Sequence, residues 1–341
     1  MKFSSHWLAQ SSAFLFPIFG LALAACGGSS DNPANAAGAA GAQASQSAGA
    51  GGAASGDPSK LVGSFQVKLI PADDLGATAT TSIVGKINDG PTPVTTIWEE
   101  PQPDGDCTLT TPRVPFCTTP CGGSAACVED DVCLAYPTVH SAGAVTMTGI
   151  KATDGSAPLA LLLVAGNYQA PPSVPLAYPA FAEGDAVTLA AAGEYFPPFS
   201  LSSKGIAPLA LKSTGLALKS GQPLALTWTK GAESSATIHV RLDISHHGGS
   251  KGQIECETAD SGALTVSAAL ISKLLKLGVA GFPSVIVTRH AIGSTVIAPG
   301  RVELEISSTV EQSVTVDGLN SCTKNADCPD GQQCQNDLSC K

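Results

Sequence analysis

Ile238-His239-Val240-Arg241-Leu242-Asp243-Ile244 alternates without a fault: apolar at 238, 240, 242 and 244, polar at 239, 241 and 243. Side chains on an extended chain point to opposite faces in turn. This stretch is therefore a strand with one face in a core and the other in water. Runs of similar character flank it: Ser64–Leu69, Thr81–Ile87, Val94–Trp98, Val145–Ile150, Ala186–Leu189 and Leu224–Trp228 before it. Ile254–Cys256, Leu264–Val266, Val285–Arg289 and Val302–Ile306 come after it, with Val310–Val316 a further candidate. Turn clusters such as Asn88-Asp89-Gly90-Pro91 separate them. Short strands at this spacing predict a mainly β protein, an antiparallel β-sandwich of Ig-like or jelly-roll type, with one short helix and disulfide-rich small segments.

The helix is predicted over Ala268 to Leu277. Leu270, Ile271, Leu274 and Leu275 form one apolar stripe, Ser267 is placed to cap the start and Gly278 the end. The stripe is expected to close one end of the sandwich. Pro158-Leu159-Ala160-Leu161, Pro208-Leu209-Ala210-Leu211 and Pro223-Leu224-Ala225-Leu226 share a phrase at unequal intervals. It reads as proline at strand starts rather than as a structural repeat.

Charged residues make up only 13 % of the chain, against 36 glycines and 24 prolines. Few charges and many turn formers suit an exported all-β protein better than a helical one. The net charge of −10 opposes binding to nucleic acid, which selects basic surfaces. It is equally unsuited to an anionic membrane, so a lipid and not electrostatics must supply any attachment.

Residues 1–25 have the layout of an export leader: Lys2, an apolar run from Trp7, and small residues before Cys26. A transmembrane anchor fits less well, because Pro17 and Gly20 interrupt the run and no basic stop-transfer cluster follows. Leu23-Ala24-Ala25-Cys26 resembles a bacterial lipobox. The resemblance implies cleavage before Cys26, lipidation of Cys26 with three acyl chains and, because Gly27 rather than Asp follows, sorting to the outer membrane. Cleavage by ordinary signal peptidase without lipid is the alternative. Several acyl chains anchor stably where one does not. Residues 26–60 are rich in Gly, Ala and Ser, cannot bury a core, and read as a flexible tether with a reach of about 30 Å.

Besides Cys26 there are ten cysteines: Cys107, Cys117, Cys121, Cys127, Cys133, Cys256, Cys322, Cys328, Cys334 and Cys340. In an exported chain an even set reads as disulfides. Zinc ribbons prefer close C-x2-C pairs, which this chain lacks. The expected organisation is 61–135 as strands with a cysteine-rich insert, 136–318 as the sandwich, and 319–341 as a cysteine-rich tail.

Signals for chemistry are weak. Gly248-Gly249-Ser250-Lys251-Gly252 matches G-x-S-x-G, but a nucleophile elbow needs a strand before it and a helix after, and here it joins two apparent strands. His246 and His247 are adjacent and point apart, so no metal ligand is assigned and no cofactor is expected. Asp73-Asp74, Glu99-Glu100 and Glu129-Asp130-Asp131 lack the spacing of a dedicated calcium loop. No catalytic residue is assigned. Trp98 and Trp228 sit in strand patterns and read as core. Tyr136, Tyr178 and Tyr195-Phe196 lie in Pro-rich loops, and Tyr178, Tyr195 and Phe196 are the candidates for a ligand-binding rim.

Cys322-x5-Cys328-x5-Cys334-x5-Cys340, around Asp327-Cys328-Pro329-Asp330-Gly331, resembles the small cysteine-rich motif, loosely Dickkopf-like or EGF-like, of myxobacterial surface proteins. Cys117-x3-Cys121-x5-Cys127-x5-Cys133 repeats it with a shorter first gap. The whole chain is similar to uncharacterised myxobacterial surface lipoproteins in its lipobox, its tether, Gly105-Asp106-Cys107, Pro115-Phe116-Cys117 and Ile254-Glu255-Cys256 before Asp260-Ser261-Gly262. That resemblance carries no activity. If each four-cysteine unit pairs internally, Cys107 and Cys256 are left either to bond to each other or to remain buried thiols. The expected function is a non-enzymatic outer-membrane surface lipoprotein with a structural, adhesive or partner-binding ectodomain. The alternative is a carbohydrate-binding module of the cell envelope, and the partners are the membrane through the N-terminal lipid and an envelope polysaccharide or protein. Replacing Cys26 with Ala is expected to move the protein from the membrane fraction to the soluble one; continued membrane association would overturn the lipoprotein reading.

Overall fold

The computed structural model describes residues 56–72, 76–249 and 251–341. Cys26, most of the tether, Asp73-Asp74 and Ser250 lie outside the described residues. Strands dominate, as expected. Along the chain come β1 (Leu61–Ile70), β2 (Thr80–Ile87), β3 (Ile97–Asp104), β4 (Cys107–Arg113), β5 (Ala125–Glu129), β6 (Val132–Ala135), β7 (Val145–Thr148), β8 (Leu159–Val164), β9 (Asn167–Gln169) and β10 (Ala186–Ala191). They are followed by β11 (Phe199–Lys204), β12 (Ala217–Leu218), β13 (Leu224–Thr227), β14 (Thr237–Asp243), β15 (Gln253–Ala259), β16 (Ala263–Val266), the helix α1 (Ala268–Lys276), β17 (Ser284–Ile297), β18 (Gly300–Ser313) and β19 (Thr315–Val316). Among the described residues no helix is long and apolar enough to cross a membrane.

One hydrogen-bonded sheet runs β11-β10-β7-β8-β9-β2-β1-β18-β17-β14-β15-β4-β3. Its pairings are antiparallel with one exception. β1 lies parallel to β18, with Phe65 beside Leu304 and Val67 beside Ile306. A second parallel pair, β12 with β19, lies outside this sheet. Alternation in the sequence fixes which face a residue takes but not the direction of its neighbour, so an antiparallel expectation misses this pair.

The sheet serves two cores. In the first, Phe65, Val67, Ile87, Val145, Met147, Val187, Leu189, Val302, Leu304 and Ile306 are buried together. Here the sheet curls back on itself. Ser203 Oγ donates to the Ala291 carbonyl at 2.9 Å, bringing β11 against β17. Gly293 makes this approach possible, because a Cβ there would collide with the Ser202 carbonyl. Gly85 has a similar role opposite Phe65, whose ring fills the space a Cβ would need.

The second core is the sandwich. β14, β15, β4 and the start of β17 form one wall, and β12, β13, β16 and α1 supply the cover, around Trp228, Ile238, Val240, Leu242, Ile254, Val285 and Val287. The alternation at 238–244 is kept residue for residue: 238, 240, 242 and 244 are buried. Ser267 caps α1 by accepting the Leu270 N–H at 3.1 Å, and Leu270, Ile271 and Leu274 enter the core. Each such side chain contributes about 1.5–3 kcal/mol by leaving water. Residues 61–135 do not stand apart: β1 and β2 build the first core and β4 the second. At the free edge, β3 carries Glu99, Glu100, Pro101 and Pro103 and a register shift, features that discourage pairing with another chain.

All ten described cysteines are bonded. Cys107 and Cys256 are register partners on β4 and β15 and join inside the second core. The insert pairs Cys117–Cys127 and Cys121–Cys133, and the tail pairs Cys322–Cys334 and Cys328–Cys340. Both units therefore join first to third and second to fourth. The tail docks on the body through the Gly281 N–H to the Asp337 carbonyl at 2.7 Å and Ser321 Oγ to the Gly281 carbonyl at 2.6 Å.

β17 and β18, 14 residues each, run through both cores. Val285 and Val287 belong to the second core and Ala291 and Ile297 to the first; between them the inward position is Arg289. Its side chain is 1 % exposed and that of its partner Asp260 is 4 % exposed. Nε donates to Asp260 Oδ2 at 2.8 Å, and Nη1 donates to the Ala207 and Pro208 carbonyls at 3.0 and 3.1 Å. Nη2 donates to the Thr229 carbonyl and, at 3.4 Å, to Asp260 Oδ1. Trp228 Nε1 and the Gly231 N–H also donate to Asp260, at 2.6 and 2.9 Å. Arg289→Met is expected to lower unfolding free energy by about 3–5 kcal/mol, because it strands a buried carboxylate. Urea denaturation reads this out, and a loss below about 1 kcal/mol would show that the ion pair does not hold the cores together.

Candidate functional site

The rim that stands out is built at the end of the first core, where the segment after β2 meets the loops before β7 and after β10. Asp89 and Thr138 are joined twice: the Asp89 N–H donates to the Thr138 carbonyl at 3.0 Å, and the Thr138 N–H donates to the Asp89 carboxylate, at Oδ1, at 2.8 Å. The second bond is the main reason the Asp89 carboxyl is held below its usual range. Asp89 Oδ2 meets His140 Nε2 at 3.2 Å, and the His140 N–H donates to the Ile87 carbonyl. The imidazole is thus fixed at both ends of its residue.

Tyr195 stacks on this ring with centroids 3.5 Å apart and planes within 5°. Phe196 lies edge-on to Tyr195 at 4.9 Å. The loop below is stitched by Ser141 Oγ to Glu194 Oε2, the Tyr195 N–H to the Ser141 carbonyl, and the Gly193 N–H to the Ala142 carbonyl. Tyr168, buried in the core, supports the same loop, accepting from the Ala142 N–H at 2.7 Å and donating to the Gly143 carbonyl at 3.1 Å.

The three proposed rim residues separate here. Tyr195 is 56 % exposed and presents its ring to solvent. Phe196 is 4 % exposed and belongs to the first core, so it supports the rim from beneath and offers it no surface. The two rings meet edge-on at this bend, so one Tyr-Phe dipeptide supplies both the exposed ring and its support. Tyr178 is half-buried against the same core, and that burial pushes its hydroxyl pKa up. His140, whose contribution depends on folding together segments 55 residues apart, left no local signal.

The remaining candidates have structural partners. Arg113 binds Glu99 and Asp130 together, and Asp131 accepts the Thr118 N–H at 2.8 Å, so the acidic runs tie the insert to β3 and β4. Gly248-Gly249 lies between β14 and β15 and not between a strand and a helix. The His246 and His247 rings are 3.9 Å apart, and His246 lies 3.9 Å from both Asp243 and Glu311. Cys117, Cys121 and Cys133 are close-set, as are Cys322, Cys328 and Cys340, but all six sulfurs are consumed in disulfides. A cleft of about 410 Å³ beside β1 is lined by Lys60, Leu61, Gly63, Lys86 and Val94 among others, and offers no imidazole or carboxylate.

The outer face of the sheet carries a second polar cluster. His290 Nε2 lies 2.9 Å from Glu257 Oε1 and Nδ1 lies 3.7 Å from Glu305 Oε1. Gln66 Nε2 donates to Glu305 Oε2 at 3.2 Å. Glu305 raises the His290 pKa most, with Glu257 adding to it; Glu257 is nearer, but it is also the more exposed of the two. His290 in turn lowers the Glu305 pKa.

No protein-family model matches this chain, and no curated protein is significantly similar to it.

The pair on the outer face makes stability depend on pH. A raised His290 pKa stabilises fully below its ordinary value of 6.5 and is lost as pH rises through the raised one. A lowered Glu305 pKa stabilises above its ordinary 4.5 and is lost as pH falls through the lowered one. The stability difference between the protein and its His290→Gln variant is therefore expected to be largest between about pH 4.5 and 6.5 and to shrink at higher pH. Denaturation midpoints across that range test it; a difference that stays constant to pH 9 would show that the pair does not ionise as described.

Proposed function

We propose that this chain is a non-enzymatic outer-membrane surface lipoprotein. Lipid on Cys26 holds it to the membrane, the tether of residues 26–60 carries the folded part clear of the head groups, and the β ectodomain acts in adhesion or partner binding. The observation that carries this reading is the Tyr195–His140 pair. An exposed aromatic ring loses contact with water when a partner covers it, and one already held by stacking has little motion left to lose on binding. Here the holding groups are Asp89, Phe196 and the Glu194–Ser141 stitch. Interface energy concentrates in such anchored aromatics.

A second reading, a carbohydrate-binding module for envelope polysaccharide, is favoured by one specific feature. The flat Tyr195 face has the Asp89 and Glu194 carboxylates on the loops that build it, as hydroxyl acceptors for a sugar stacked on the ring. Retention of the full-length, detergent-solubilised protein on envelope polysaccharide, peptidoglycan and immobilised envelope proteins distinguishes the two readings. Saturable retention on one of these is expected, weakened at least tenfold by Tyr195→Ala, or about 1.4 kcal/mol. Retention unaffected by Tyr195→Ala would remove the rim from both readings.

A further inference from the structure

We propose that the ectodomain pairs with a second copy of itself, the acidic β3 edge of one copy facing the lysine-bearing cover of the second core in the other. The two surfaces are opposite in charge, and each carries groups that the fold leaves unpaired. Residues 97–131, which hold β3, β4 and the insert, contain seven carboxylates and one cation, Arg113. Arg113 is already engaged by Glu99 and Asp130. Glu100 and Glu129 are exposed, and their carboxylates have no hydrogen-bond or ion-pair partner among the described residues. Glu100 lies in the register shift of β3 with a left-handed backbone, φ 49°, which takes its side chain out of the regular alternation of the strand.

The cover has the reverse composition. Segments 207–230 and 261–283, which supply β12, β13, β16 and α1, contain five lysines and no carboxylate. Lys219 is paired with Asp317. Lys212, Lys273 and Lys276 are exposed and have no ion-pair partner among the described residues. Lysines in the last turn of α1 suit the helix dipole, but the dipole does not account for the lack of acids across the rest of the cover.

The acidic edge also presents apolar surface. Val114 and Phe116 are the most exposed large apolar side chains among the described residues, at 74 and 73 %. Phe116 is held in place: its N–H donates to Asp130 Oδ1 at 3.0 Å, its carbonyl accepts the Asp131 N–H at 3.1 Å, and the next residue, Cys117, is bonded to Cys127. An ammonium group is drawn to an aromatic face, and a lysine stem covers apolar surface while its charge stays in water. A fixed ring among carboxylates therefore fits the lysines of the cover in two ways. Ser267 at the start of α1 donates to Asp104 at the end of β3, so within one copy the two surfaces are neighbours. Neighbouring patches of opposite charge are self-complementary about a two-fold axis. Each acidic edge meets the cover of the other copy, the contact is made twice, and the pair is closed. β3 joins through its side chains; its prolines and register shift keep the sheet from extending across the pair.

The experiment is sedimentation equilibrium of the oxidised, full-length protein in density-matched detergent, with micelles in excess. A dimer with a dissociation constant of about 100 µM or tighter is expected at low salt, weakened at least tenfold in about 0.5 M salt. Lys273→Glu/Lys276→Glu and Glu100→Lys/Glu129→Lys should each be monomeric, because like charges then meet at both contacts. An equimolar mixture of the two variants should dimerise as the unaltered protein does, which also shows that both fold. Carbodiimide crosslinking of mixed isotopically light and heavy protein should join Lys273 or Lys276 of one isotope to carboxylates within 99–131 of the other. A protein that is monomeric throughout, dimerisation of either variant alone, a mixture that stays monomeric, or crosslinks confined to one isotope would each overturn the proposal.

Discussion

The fold depends on a charge in an apolar place. β17 and β18 thread two cores that share no other strands, and position 289 is where one core ends and the next begins. An apolar residue there would extend the core but leave loop carbonyls without donors. The Ala207, Pro208 and Thr229 carbonyls converge on the join, and a guanidinium has five N–H donors in a fixed fork to meet them. Asp260 neutralises the charge and draws in Trp228 and Gly231, so loops from three parts of the chain are fixed by one side chain. Such pairs add little net stability over a hydrophobic replacement, but removing one partner alone is costly. At this join the pair sets how the two cores sit on one hairpin.

Much of the second core was legible in the sequence because its elements are local. The period of two at 238–244 and the stripe at 268–277 each describe a single face buried against one core, and both faces are buried as read. The first core was harder. Val285–Arg289 and Val302–Ile306 showed as strands, but each is the fragment of a 14-residue strand whose other part is polar outside or small inside. Gly293 and Ser294 break the apolar pattern because β11 packs there, a contact set by residues some 90 positions away. Arg289 ends an apolar run in the sequence, and nothing local marks it as buried; its burial becomes visible only once Asp260 and three loop carbonyls are in place.

The cysteines show which parts of the chain lack a core of their own. The insert and the tail have few buried residues, and each is held by two interleaved disulfides. A short crosslinked loop gains its stability from constraint on the unfolded chain, which needs no apolar burial. Cys107–Cys256 is different in kind: it lies inside the second core and closes a loop of 149 residues between strands already paired. The likeness of spacing between the two small units extends to their pattern of joining, but that spacing gave no hint that the tail would dock against Gly281.

The Tyr195 rim and the His290 cluster both sit on backbone that the cores and the sheet hold in place. Tyr195 is exposed, yet its ring is sandwiched in order by His140 on one face and Phe196 at its edge, and Phe196 belongs to the first core. A ring held this way keeps its orientation before a partner arrives, so contact area converts into affinity with little ordering cost. The sheet does for His290, Glu257 and Glu305 what the first core does for Tyr195: register pairing on neighbouring strands fixes the backbone that carries them. A tether of the kind proposed for residues 26–60 would let the ectodomain search while these surfaces keep their shape. On the function proposed for the chain, mobility belongs between membrane and ectodomain, and the Arg289–Asp260 join keeps it out of the ectodomain itself.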